Sequence, residues 1–114
     1  MLAKRCFSLI LLTYSLTPVS AEQNVHTLTS TQWNIPRDAN SILAMPALQA
    51  VMHEFQNESN SLIVIKYAGG DEGTLWSSEL RSWLVSLGIP TKNIELIPGA
   101  TKTDQLELSV IKSQ

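Results

Sequence analysis

The fold is decided by one stretch: Leu62-Ile63-Val64-Ile65-Lys66-Tyr67, then Ala68-Gly69-Gly70-Asp71-Glu72-Gly73. The first four residues form a continuous apolar, largely β-branched run leading into Lys66 and Tyr67, which marks a central strand covered on both sides or at least largely buried. The glycine-dense segment after it is a tight exit from that strand. From about Thr74 the periodicity changes, and Trp76, Leu80, Trp83, Leu84 and Leu87 fall on one helical face. Gly88 is suited to the left-handed position after a helix, and Pro90 prevents continuation. Strand, glycine turn and helix in this order define an α/β unit.

Outward from this unit the remaining elements fall into place. Ile94-Glu95-Leu96-Ile97 reads as a strand closed by Pro98-Gly99. Leu106, Leu108 and Val110 alternate with Glu107 and Ser109, giving a strand with one wet face. Upstream, Thr29–Ile35 reads as a short strand carrying Trp33 and Ile35 on one face and ended by Pro36. Asp38, Asn40 and Ser41 are capping types, and Leu48, Val51, Met52 and Phe55 have i, i+3, i+4, i+7 spacing. Pro46 belongs in a first helical turn, so this helix starts near Met45, after a short turn at Ile42–Ala44. The order is β-α-β-α-β-β. Two helices packed on one face of a small mixed sheet make a single α/β (α+β) sandwich over residues 33–114, preceded by a flexible tail at 22–32.

The chain has 114 residues, 44% of them hydrophobic and 16% charged, which excludes a disordered linker. Residues 1–21 have the layout of a secretory signal peptide: Lys4 and Arg5, an apolar stretch from Phe7 to about Leu16, Pro18, then Val19-Ser20-Ala21. A membrane span needs about 20 consecutive apolar residues, and Thr13, Ser15 and Thr17 interrupt this one. Cys6, the single cysteine, precedes the apolar stretch, so a lipid anchor is not expected. Removal of this segment takes Lys4 and Arg5 from a chain of net charge −2 and leaves every acidic residue in place. The product is acidic and cysteine-free, which points to the periplasm and away from nucleic acid or an anionic membrane surface. N-terminal sequencing of the exported form should begin at Glu22; an intact Met1 in a soluble periplasmic product would overturn this.

The chemistry legible in the residues is sparse. The loop Gly69-Gly70-Asp71-Glu72-Gly73 lacks the lysine and the glycine spacing of a phosphate cradle, and its carboxylates repel anions. Its glycines suit a tight turn, and its acids suit a helix dipole. Asp71 and Glu72 can alternatively hold a cation or receive an amine or guanidinium from a ligand. Arg81, toward the polar side of the same helix, is the companion candidate for an anionic group. Trp76 and Trp83, seven residues apart, read as a core seam. His26 and His53 lack the further ligands of a zinc site, and Ser77, Ser78 and Ser82 have no nucleophile elbow around them. The chain reads as a non-enzyme needing no metal or cofactor.

Two resemblances extend this reading. The element order resembles the OmpA-like peptidoglycan-binding domain over about Asn40 to Lys112. Leu62–Tyr67 stands at that family's central strand, Leu84–Ile94 resembles its Gly-Ile-Pro passage from helix to strand, and Leu106–Ile111 matches its last strand. The resemblance implies a cell-wall anchor in which Asp71 meets the diaminopimelate of a stem peptide. The family's arginine falls on Trp76, leaving Arg81, about a turn later, as the available base. Trp33–Arg37, Met45–Leu48, Tyr67–Gly73 and Leu75–Leu84 are also similar to small exported proteins of integrating conjugative elements, encoded beside type IV secretion genes. That similarity implies an accessory envelope protein that contacts other envelope or secretion-apparatus proteins.

Overall fold

A computed structural model describes residues 24–112. The expected signal peptide at 1–21 lies outside the described residues. The elements are β1 (His26–Thr29), α1 (Ser30–Trp33), α2 (Ala39–Ala44), α3 (Pro46–Asn57), β2 (Ser61–Tyr67), α4 (Asp71–Ser86), a 3₁₀ turn (Thr91–Asn93), β3 (Ile94–Pro98) and β4 (Gln105–Lys112).

The sheet order is β1-β4-β2-β3. β2 and β3 pair in parallel, while β4 runs antiparallel to both β1 and β2. β1, β2 and β3 therefore all point the same way, with the last strand inserted between the first two. Along β2 and β4, Ile63, Ile65, Leu106 and Leu108 enter the core. α3 packs over β1, β4 and β2, and α4 packs over β2 and β3. Leu48, Val51, Leu80 and Leu84 meet the strand residues in one cluster. The mixed sheet with helices on one face is the architecture expected from the sequence.

Four local readings change. First, the initial strand is His26–Thr29, inside the segment expected to be a flexible tail, and the folded domain begins before Trp33. Leu28 is fully buried and pairs with Leu106, while His26 Nε2 lies 2.7 Å from Glu54 Oε2 of α3. Second, Trp33 closes a helical turn, not a strand. The Thr29 hydroxyl accepts from the Gln32 amide, and the Gln32 side chain accepts from the Thr29 amide, a reciprocal cap that starts α1. Third, the turn before α3 is a helix in its own right, capped in the same manner by Asp38 and Ser41.

Fourth, β2 is central in the sheet but covered by helices on one face only. On the other face Val64 is just 8% exposed, at a hollow it lines with Lys66, Ile97, Glu107 and Ile111. Neighbouring strands, rather than a second helical layer, account for its apolar character.

The stop of α4 is as the sequence predicts. The Gly88 amide donates to the Val85 carbonyl and the Ile89 amide to the Leu84 carbonyl, with Gly88 at φ 108°. This doubly bonded termination brings Ile89 and Leu84, both buried, to the same end of the helix.

Candidate functional site

Ligands of open α/β sheets bind beyond the carboxyl ends of the parallel strands, where successive connections diverge. Here that region lies past Thr29 of β1 and Tyr67 of β2, with the entry to β4 between them. Three segments converge on it: α1, the first half of α4, and the loop into β4. The Ser30 amide donates to the Asp104 carbonyl at 2.8 Å, tying the first segment to the third.

Between them lies a cleft of about 480 Å³, walled by Trp33, Trp76 and Leu75 and edged by Glu72, Glu79 and Asp104. Glu72, Leu75, Trp76 and Glu79 recur at the spacing of one helical face, so α4 supplies four of the nine lining residues. Trp33 is buried, and its ring centre is 6.4 Å from that of Trp76 at a tilt of 38°. Arg37 holds two of these lining residues, Trp33 and Glu79. Its guanidinium carbon stands 4.6 Å from the Trp33 ring centre, and its nitrogens donate to the Trp33 carbonyl at 2.8 Å and to Glu79 Oε2 at 3.0 Å. Trp76 Nε1 is buried and has no hydrogen-bond partner among the described residues. Leu75, at 69% exposure, is the most exposed large apolar side chain described.

Comparison with family models, curated proteins and solved structures finds no match to this chain. The site must therefore be read from its own geometry.

Of the residues singled out in the sequence, Glu72 reaches this cleft. Asp71, the first residue of α4, lines a smaller hollow with Gly69, Gly70 and Gly73, which shares Glu72 and Thr103 with the cleft. Arg81 is not brought to either. It follows Asp71 by about 15 Å of helix and sits about 200° around the axis from Glu79, so Asp71 and Arg81 do not form one pocket. The glycines have separate tasks. Gly70 holds φ 107° and ψ 174°, a region open essentially to glycine alone, while Gly73 lets α4 start hard against the Ala68 carbonyl.

Trp76 and Trp83 are half-buried, flanking the core rather than forming its seam. Both histidines and two of the serines have partners: His26 with Glu54 of α3, His53 with Asn57, Ser77 with the Thr74 carbonyl and Ser82 with the Ser78 carbonyl. Among the described residues no group of three or more potential metal ligands is assembled, and no helix is long and apolar enough to cross a membrane.

Sequence reasoning missed the cleft because one of its walls, Trp33, belongs to α1. The signal was present: Thr29-x-x-Gln32 is a helix-capping pair, and it places Trp33 in a helical turn.

Proposed function

We propose that this protein is a non-enzymatic interaction module of the bacterial periplasm, accessory to the type IV secretion apparatus of a conjugative element, and that it docks on an envelope protein through the Trp33–Trp76 cleft. The observation that carries the docking reading is Leu75, an exposed leucine at the rim of a cleft walled by two tryptophans. Large aromatic side chains beside an apolar rim are the usual anchors of protein interfaces, because they bury much area with few torsions to freeze. The export signal at 1–21 and the acidity of the remaining chain support a periplasmic setting. The segments resembling small exported proteins of conjugative elements support the assignment to a secretion apparatus.

A wall-anchoring role requires one zwitterionic ligand to meet Asp71 and Arg81 together, which their separation along α4 disfavours.

A photoreactive amino acid at position 75, introduced in donor cells, should give an adduct with a component of the secretion apparatus. The same group at Val85, an exposed position elsewhere on α4, should not. Equal labelling from both positions, or none from either, would overturn the docking reading.

A further inference from the structure

The charge around the cleft is lopsided. Glu72, Glu79 and Asp104 edge it, and only Glu79 has a cationic partner within 4 Å among the described residues. That partner, Arg37, displays the preference of this surface. Its guanidinium lies over the Trp33 ring while donating to a carboxylate and a main-chain carbonyl. An indole face and a carboxylate acting on one cation reinforce each other, the ring by its negative quadrupole and the carboxylate by charge.

The other half of the cleft repeats these elements with no cation in them: the Trp76 ring, the apolar Leu75, and the carboxylates of Glu72 and Asp104.

Building on the docking reading above, we infer that this half of the cleft takes a lysine or arginine side chain presented by an extended segment of the partner. The aliphatic stem of that side chain lies along Trp76 and Leu75, and its head group meets Glu72 and Asp104. An acidic side chain is repelled by the carboxylates, and an apolar one strips them of water without replacing it. Basic side chains satisfy both walls.

The test uses the purified protein and capped pentapeptides Gly-Ser-X-Ser-Gly, with X as lysine, arginine, norleucine or glutamate, followed by tryptophan fluorescence and by amide shifts. The lysine and arginine peptides should bind at least about tenfold more tightly than the other two, and the preference should shrink as salt rises. Glu72→Gln and Asp104→Asn should each reduce that preference several-fold. Trp76→Leu, which keeps an apolar wall but removes the ring face, should weaken the basic peptides without unfolding the protein, and Arg81→Ala should leave binding unchanged. Equal binding of all four peptides, while position 75 still crosslinks to a partner, would defeat this inference and spare the docking reading. Failure of both peptide binding and crosslinking would defeat both. Preferential binding of a diaminopimelate-containing wall fragment over the basic peptides would overturn both in favour of a wall anchor.

Discussion

Replacing Gly73 with alanine should lower the melting temperature by more than about 12 °C. A Cβ built at Gly73 lies 1.9 Å from the Ala68 carbonyl oxygen and 3.0 Å from the carbonyl carbon. Both are backbone atoms at the end of the central strand, so no side-chain rotation relieves the overlap. α4 would have to back away from β2, opening the packing of Leu80 and Leu84 against the sheet. Overpacking of a close contact costs about 1–3 kcal/mol and more when backbone must move. About 3 kcal/mol corresponds to the stated shift for a domain of this size. Gly69→Ala is the control, because nothing lies within 4 Å of a Cβ there and its φ is not positive. Unchanged thermal stability of Gly73→Ala would mean that α4 does not begin against Ala68.

The second large effect is expected at Trp33. Its side chain is 5% exposed, lies near Trp76, and carries the Arg37 guanidinium over its outer face. Trp33→Ala should cost about 3–5 kcal/mol, a large part of the roughly 5–15 kcal/mol that holds a typical domain together. Trp83→Ala, at a half-buried position, should cost only about 1–2 kcal/mol. Paired denaturant titrations of the two variants check this ordering. A larger loss at Trp83 than at Trp33 would contradict the placement of α1 against the core.

These two positions also divide what was readable in the sequence from what was not. Gly73 sits in a segment whose composition already announced a tight strand-to-helix turn. β2, the end of α4 and the alternation of β4 were legible for the same reason: each is specified by residues adjacent in the chain. Pro46 as the first residue of α3, with Met45 as its cap, follows equally from local chemistry.

Trp33 was misplaced because threonine, tryptophan and isoleucine favour strands, and that propensity outweighed the capping pair Thr29–Gln32. His26–Thr29 carries too little apolar signal to declare itself. It becomes a strand because β4 offers an edge and Glu54 receives His26, both tertiary facts. The cleft was hidden for the same reason, since Trp33 and Trp76 meet only once the sheet is assembled. Glu72 was visible as a candidate, whereas Asp104 and Glu79 gave no sign of belonging with it.

The place of β4 has a consequence for how the molecule comes into being. β1 pairs with no strand except β4, so His26 waits for Leu108 and Leu28 for Leu106. Everything between them must be in place before the first strand has a neighbour, and such distant pairings form slowly because the intervening loop must close first. A chain that emerges amino end first therefore makes its earliest strand and then has nowhere to put it. Until Gln105–Lys112 arrives, β2 can gather α3, α4 and β3, but β1 has no strand to pair with. Order of emergence and order of assembly run against each other, so the sheet closes only once its last strand has been made.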